Sequence, residues 1–571
     1  MNNAQIAMVF DEIADLLEIQ DANPFRVRAY RNGARAVRDL TEPVVGILDD
    51  EDRKLTDLPG IGKDLAEKIS TLCQTGSLPM HQELLTQIPV SVLTLMRVPG
   101  VGPKKAAALH RELGISSLEE LREACTTNRV QKLKGFGAKT EQTILAGLEH
   151  ADSRQQRLLW AEADQFVQSL LDHLRSCPSV QQIEAAGSYR RGRDTVADLD
   201  LLVVSNQVDE VMDRLAAFDA VETILARGET KMSVRLAGGL QVDLRVVPAE
   251  SFGAALQYFT GSKEHNVVLR GLAKGRGLKI NEYGVFRGDE YLAGRTEEDV
   301  YATLDLPCFP PELREARREF EWANADGLPK LVEADDVLGD LHMHTDATDG
   351  KATLREMVEA ARERGLKYIA ITDHSKRVSM ANGLDADRLR EQWSEIDRLN
   401  RRVKGIKVLK GVEVDILEKG GLDLDDDLLS EADWVVASLH YGQQQPREQI
   451  TRRILEALAN PTVCAIGHPT GRLINRRQAY EVDLDAVFKA ARKHGKFLEL
   501  NANPQRLDLD DVACAAAKEH GVPIVISTDA HSVEGLDKLR YGILQARRGG
   551  LTKADVVNTR PWSEVKKLLG R

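Results

Sequence analysis

From residue 338 onward the chain repeats one pattern, in which a short apolar run closes on a polar or acidic stop and is followed by a stretch of helical period. Seven such runs end on side chains that can bind a metal or donate a hydrogen bond. They are Leu341 to His344, Ile369 to His374, Val408 to Glu413, Val435 to His440, Cys464 to His468, Phe497 to Asn501 and Ile524 to Asp529. Strands alternating with helices run parallel, and parallel strands closed into a barrel bring their C-terminal ends to one mouth. The pattern predicts seven βα units with one convergent site. An open doubly wound sheet, which also gathers ligands at strand C-ends, is the alternative topology.

The first 150 residues follow a different grammar, with short amphipathic helical stretches separated by turns that resemble one another. Leu58-Pro-Gly-Ile-Gly62, Val98-Pro-Gly-Val-Gly102 and Leu133-Lys-Gly-Phe-Gly137 form an internal repeat. One such turn is ordinary helix-end chemistry. Three with the same flanks carry more, because glycine allows close backbone approach and the N–H groups opening the next helix can face a phosphate. Gly60, Gly62, Gly100, Gly102, Gly135 and Gly137 are therefore candidate DNA-backbone contacts, which position a protein without reading bases. Lys63, Lys104, Lys105 and Lys139 follow the turns and supply local positive charge. That charge has to be local, since the formal net charge of −12 leaves no general basic footprint.

Six cysteines without a CxxC pair argue against a disulfide framework and against a cysteine-rich zinc site. The N-terminus is acidic and amphipathic, and no stretch is apolar enough to cross a bilayer. A cytoplasmic protein without a membrane partner is expected.

Between these regions the text becomes β-rich. Gly187-Ser188-Tyr189-Arg190-Arg191-Gly192 is followed by Asp198-Leu199-Asp200 and, later, by Val242-Asp243. Residues two apart in a strand share a face, so Asp198 and Asp200 can meet one metal pair, with Asp243 on a neighbouring strand. Carboxylate oxygens in that number suit Mg²⁺ held jointly with substrate phosphates. Two ions about 3.5–4 Å apart would stabilise the attacking and leaving oxygens of an in-line displacement. The Gly187-Ser188 turn and Arg191 would hold a triphosphate.

Tyr258-Phe259-Thr260-Gly261-Ser262, Asn266, Arg270 and Ile280-Asn-Glu-Tyr283 closely resemble the nucleotide pocket of the family X DNA polymerases. The resemblance runs in order from Phe10 to about Pro307. It implies that Tyr258 and Phe259 lie against the incoming sugar, Asn266 faces the base edge and Arg270 touches the template. It also implies a nucleotide-contacting role for Gly261 and offers Lys68, which follows the first glycine turn, as a lyase candidate, with an ordinary surface lysine as the alternative. Lys263 departs from the acidic residue of the vertebrate repair enzyme in this family, and the third glycine turn is an addition to it.

The C-terminal region, over 338 to about 548, resembles the polymerase and histidinol phosphatase (PHP) superfamily. The resemblance makes His342, His344, Asp349, His374, Glu413, His440, His468, Asp529 and His531 the ligands of two or three ions. One histidine at a strand end is ordinarily structural, but nine such groups at one mouth need partners that only metal or water supplies. Imidazole with carboxylate suits Mn²⁺, Zn²⁺ or Fe²⁺. The implied chemistry is phosphoester hydrolysis by water activated on the ions, with His342, His344, His374, Glu413 and Asp529 in catalytic roles. Arg377, Arg472, Arg476 and Arg477 are candidate phosphate holders.

Together the halves resemble the bacterial family X polymerase with a C-terminal PHP domain. The expected fold is multidomain: a helix-hairpin-helix N-terminal region, an α/β nucleotidyltransferase palm with thumb, and a distorted (β/α)7 barrel. The expected boundaries are 1–85 for a lyase-like domain with the first turn and 86–150 for the subdomain with the second and third. The palm follows at 151–250, the thumb at 251–318, a linker at 319–336 and the PHP domain at 337–571. The expected activities are gap-filling synthesis at Asp198, Asp200 and Asp243 with Mg²⁺ or Mn²⁺, and Mn²⁺-dependent 3′ to 5′ exonuclease action, with abasic-site incision as a further reaction. Expected partners are gapped or nicked duplex DNA and deoxynucleoside triphosphates. The rival is a DNA-bound 3′-end-processing nuclease with a weak or inactive polymerase half, which the retention of all three aspartates opposes. A histidinol-phosphate-type phosphatase would leave the glycine-turn repeats without a purpose.

Overall fold

The computed structural model describes the chain apart from residues 1, 2, 21, 39, 41–43, 49, 51, 52, 59, 89, 97, 99, 100, 150–156, 238, 326 and 571. It forms two compact units, Met1–Gln156 and Arg157–Arg571.

The first unit is helical. In the opening helix, Asn3–Ile19, the apolar residues Ile6, Phe10, Ile13 and Leu17 recur at helical period and are buried. They share a core with Tyr30 of helix Pro24–Arg38 and with Leu65, Ile69 and Leu72 of helix Lys63–Thr75. The Phe10 and Tyr30 rings meet edge to face at 5.6 Å.

The second unit opens on a five-stranded sheet. Its strands lie in the spatial order Gln182–Ala185, Asp198–Val204, Gln241–Val247, Lys231–Leu236, Val221–Arg227, and the second and third run parallel. Alternation along Asp198–Val204 sends Leu199, Leu201 and Val203 into a core with Val167, Leu170 and Leu174 of helix Trp160–Arg175. Leu202 and Val204 pack on the other face against Phe252, Ala255 and Leu256 of helix Phe252–Thr260. Asp198 and Asp200 share the parity of Leu202, so they belong to the face that carries this helix. The connecting segment contains helix Glu319–Asn324, whose first residue is buried against His265 at 2.9 Å.

Beyond it seven strands, all parallel and in chain order, form the sheet Gly339–Asp340, Tyr368–Ile371, Lys407–Asp415, Trp434–Ser438, Ala465–Ile466, Phe497–Asn501, Ile524–Ser527. A parallel bridge between Met343 and Ala530 joins last to first, with His344 N donating to Ala530 O at 2.8 Å and Asp529 N to His342 O at 2.9 Å. The barrel is therefore the topology formed, and the open sheet is not. Tyr368, Ala370, Leu409, Trp434, Phe497 and Val525 cluster with Trp562 of the last helix. Their strand neighbours Ile369, Ile371 and Val408 turn to the core shared with the surrounding helices.

Candidate active sites

In the five-stranded sheet Asp200 and Asp243 are direct partners in the parallel register, and Asp198 pairs with Gln241 two residues before. Burial first, and then the charges of Asp198 and Asp243, push the Asp200 carboxyl up to about 7. Repulsion of that kind is relieved when a divalent cation takes the place of the proton. Asp243 is fixed by a hydrogen bond from Ser233 Oγ and by Lys231 Nζ at 3.5 Å. Gly187 opens the turn after strand Gln182–Ala185 with φ +65°, and a Cβ there would lie 2.5 Å from Asp200 Oδ2. Only glycine brings the turn's backbone this close to the carboxylate.

The remaining residues of the expected nucleotide pocket gather on the adjoining helices. Tyr258 and Phe259 end helix Phe252–Thr260 with their rings edge to face at 5.1 Å, and the Arg245 guanidinium lies 4.6 Å from the Phe259 ring centre. Gly261 has φ +69°, and a Cβ on it would be 3.3 Å from Arg191 Nη1. Ser188, next to Gly187 in its turn, is half-buried, and Arg270 is exposed with Nε donating to Asn266 O at 3.1 Å. Asn266 is buried, donating to Tyr258 O at 2.8 Å and accepting from Gln257 Nε2 at 2.7 Å. Arg191 donates to Thr260 O at 2.5 Å and to Glu315 at 3.1 Å. Its guanidinium thus braces the pocket wall.

At the barrel mouth all nine predicted ligands come together. His344, Asp349, His374 and His531 form one group whose ligand atoms lie within 4.8 Å of one another; His342, His344 and Asp529 form a second, and His374, Glu413 and His440 a third. His468 joins through Nε2, 3.1 Å from Glu413 Oε1. His342 Nε2, both ring nitrogens of His344 and Glu413 Oε2 are buried without a hydrogen-bond partner, which a protein interior does not tolerate unless something else binds there. The donor set fits divalent cations. Burial opposes charge on His342, but the carboxylates of Glu499, Glu413 and Asp529 outweigh it and hold its pKa well above the ordinary value. Burial, then the neighbouring His374 and His531, bring His344 down to about 4. Burial works against the charged form of Glu413 as well, yet His440, His374 and His342 hold its carboxyl well below the usual range.

A supporting shell went unread in the sequence. His342 Nδ1 faces Glu499 Oε1 at 2.7 Å and His440 Nδ1 faces Asp415 Oδ1 at 3.0 Å, leaving Nε2 of each ring for an ion. Glu499 also accepts from His468 N at 2.6 Å, and Asn501 Nδ2 donates to Glu499 at 3.2 Å and to Asp529 at 3.1 Å. The signal was present: Asp415 follows Glu413, and Asn501 follows Glu499, by the two residues that keep a strand face. Among the expected phosphate holders, Arg377 is paired with Glu418 and stacked 4.5 Å from Tyr441. Arg472 donates to Arg506 O and Leu507 O and reaches Asp194 at 3.3 Å, and Arg477 donates to Gly471 O. Arg476 is exposed, whereas Arg506 has its Nε 3.7 Å from Asp529 Oδ2.

In the first unit the three turns share one backbone hydrogen bond. Ile61 N donates to Leu58 O at 3.1 Å, Val101 N to Val98 O at 3.0 Å and Phe136 N to Leu133 O at 3.0 Å. Gly62 and Gly102 cap the helices Lys63–Thr75 and Pro103–Leu113, and Gly137 precedes Ala138–Glu149. Gly60 and Gly135 take φ +87° and +88°, and Cβ atoms on Gly62, Gly102, Gly135 or Gly137 would meet nothing within 4 Å. Gly100 and the side chain of Lys139 lie outside the described residues. Lys63 and Lys104 are exposed, and Lys105 lies 5.7 Å from the Phe136 ring centre. Lys68 is paired with Asp64 and lies 5.7 Å from the Tyr30 ring centre.

Known families match the same regions. Residues 1–78 match the helix-hairpin-helix domain, 92–149 the SAM-like helix-hairpin-helix tandem, 255–315 the DNA polymerase beta thumb and 340–503 the PHP domain. Over 581 aligned positions, covering 100% of both chains, the sequence is 40% identical to the DNA polymerase/3′-5′ exonuclease PolX of Bacillus subtilis (strain 168). The chain belongs to the PolX family. Two other relatives each match part of the chain. DNA polymerase lambda of Rattus norvegicus is 26% identical over 55% of this chain and 56% of its own length. A probable phosphatase of Thermoanaerobacter sp. (strain X514) is 32% identical over 38% of this chain and 89% of its own. This PolX chain thus joins family X polymerase elements to a PHP barrel. Among its described residues no helix is long and apolar enough to cross a membrane.

Proposed function

We propose that this PolX chain fills gaps in duplex DNA at Asp198, Asp200 and Asp243, and trims DNA 3′ ends at the barrel mouth. The observation that carries the reading is the joint presence, in one compact unit, of Asp200 in register with Asp243 beneath the Gly187 turn and of nine converging ligands on the barrel. Mg²⁺ or Mn²⁺ at the aspartates and two or three ions, Mn²⁺ foremost, at the barrel supply Lewis acidity and activate the attacking oxygen when bound.

The chain's own residues do the rest. The Gly187-Ser188 turn offers backbone N–H groups to a triphosphate next to Asp200, and Tyr258 with Phe259 forms an apolar wall for the sugar. At the barrel, Glu499 and Asp415 orient His342 and His440, and Arg506 offers a guanidinium to a substrate phosphate beside Asp529. The exposed turns at Gly62, Gly102 and Gly137 would hold the duplex by its backbone, so that gapped or nicked DNA and deoxynucleoside triphosphates are the partners. Abasic-site incision would use the barrel site. A Schiff base at Lys68 would require its ammonium to leave Asp64 and Tyr30, so lyase chemistry is outside this proposal. The six cysteines, none of them in a disulfide, suit a reducing cytoplasm.

The test is a labelled primer on a gapped duplex with Mn²⁺, with and without deoxynucleotides. Extension with nucleotides and shortening without them is the expected result. Shortening under both conditions would favour the nuclease with an inactive polymerase half.

A further inference from the structure

Helix Leu539–Arg548 of the barrel domain has two working faces. Arg540, Tyr541, Leu544, Arg547 and Arg548 fall on one side at helical spacing, while Gly542, Ile543 and Ala546 fall on the other. The second face sits on the barrel. A Cβ on Gly542 would lie 2.6 Å from Ile526 and 2.7 Å from Ala502, next to the strand ends that carry Asp529 and Asn501.

The first face grips the turn that begins at Gly187. Arg540 Nη2 donates to Asp164 Oδ2 at 2.8 Å, and Asp164 Oδ1 accepts from the Tyr189 hydroxyl at 2.6 Å. Tyr541 meets Trp160 edge to face at 5.8 Å, and Trp160 stacks on Tyr189 at 5.0 Å. Leu544 fills the space over Gly192, where a Cβ would come within 2.5 Å of its Cγ. Arg548, with its side chain 1% exposed, donates to Arg191 O at 2.7 Å and to Glu315 at 3.0 Å, and its other nitrogen reaches Asp511 at 2.7 Å. Tyr189, Arg191 and Gly192 follow Gly187 and Ser188 within one short turn, and each is held by this helix or by a side chain it holds. A turn of so few residues has little freedom to set its own position over Asp200. The buried hydrogen bond from a guanidinium to the Arg191 carbonyl is of the charge-assisted kind that fixes geometry.

We infer that Arg548 and Arg540 of the phosphoesterase domain are positioning residues for the nucleotidyltransferase site: through the Gly187–Gly192 turn they set where a nucleoside triphosphate binds. The inference rests on the nucleotidyltransferase reading of that site. It makes the polymerase pocket a composite, completed from a helix some 350 residues further along the chain.

The test uses full-length protein and the variants Arg548→Met, Arg548→Lys and Arg540→Ala. Arg540 is largely exposed, so its replacement opens no cavity in the core. Two quantities are read: KM and kcat for single-nucleotide insertion into a gapped duplex, and calorimetric Kd for a deoxynucleoside triphosphate with Mg²⁺. Arg548→Met should raise KM and Kd about tenfold with a much smaller change in kcat, because a displaced turn weakens triphosphate binding. Arg548→Lys, which keeps one donor for the Arg191 carbonyl, should recover part of that loss, and Arg540→Ala should shift both constants in the same direction. A fold defect alone would lower kcat with the active fraction and leave KM in place. Unchanged KM and Kd in both Arg548→Met and Arg540→Ala overturn the inference. Failure of the wild type to bind nucleotide would instead overturn the nucleotidyltransferase reading, and this inference with it.

Discussion

Glu499 accepts from His342 Nδ1 at 2.7 Å and from the backbone N–H of His468 at 2.6 Å, so one buried carboxylate fixes two of the nine barrel ligands. It offers no atom to the ligand groups themselves. A carboxylate behind a histidine sets the ring's tautomer and orientation, and its removal ordinarily weakens metal affinity by about 10–100-fold. Glu499→Ala is therefore expected to lose affinity for Mn²⁺ by about that factor. Metal titration by calorimetry checks this without turnover; unaltered affinity would make Glu499 a purely structural acid.

The two sites should be separable by single substitutions. Asp243→Ala removes the register partner of Asp200 and should abolish primer extension while 3′ shortening persists. His344→Ala removes a residue common to two ligand groups and should do the reverse. A gapped primer assay in Mn²⁺ reads both. Loss of shortening in Asp243→Ala would mean that the sites do not act independently.

Glu315 sits in the joint between palm, thumb and barrel, with Arg191 at 3.1 Å and Arg548 at 3.0 Å. Burial alone would raise its pKa, but Arg548, Arg191, Arg193 and Arg317 hold it down at about 2, below the ordinary 4.5. A depressed carboxyl contributes stability that is fully present above the unfolded value and is lost as pH falls through the folded one. Glu315→Gln should therefore be less stable than wild type by about 3–5 kcal/mol at neutral pH, since buried guanidinium groups lose their counter-charge. The gap should narrow as pH falls from about 4.5 toward 2. Denaturant unfolding of both proteins across that range measures it, and a gap independent of pH would remove Glu315 as its source.

What the sequence disclosed and what it concealed divide along local and non-local lines. The barrel was legible because each strand carries its own period and its own polar stop, and His342-x-His344 or Asp529-x-His531 set two ligand-type side chains within three letters at a strand's C-terminal end. The three turns were legible for the same reason, since Ile61, Val101 and Phe136 repeat one short bonding pattern. Arg191 could not be read this way. Its place depends on Glu315 and on Arg548, which arrive 124 and 357 residues later. Glu499 lies inside the strand end Phe497 to Asn501, where an acid in an apolar run declares a role only when the histidine it orients is known. The joint around helix Leu539–Arg548 is wholly of this kind.

Gly187 offers the sharpest test of how the polymerase site is built. Its φ of +65° is costly for alanine, by about 1–2 kcal/mol. Strain of that size is not special to the site, for Gly495 has φ +63° at the C-terminal end of helix Leu484–His494 with nothing within 4 Å of a Cβ. The two positions differ in what the added methyl meets, since at Gly187 it would lie 2.5 Å from Asp200 Oδ2. Gly187→Ala must push the turn and the carboxylate apart, and a displacement of that order at a reacting centre costs on the order of 10²-fold in rate. Gly495→Ala should lose similar stability and keep primer extension, whereas Gly187→Ala should lose both. Thermal melting and single-nucleotide insertion on the two variants check the pair. Equal extension would mean that close contact between turn and carboxylate is not what the chemistry requires.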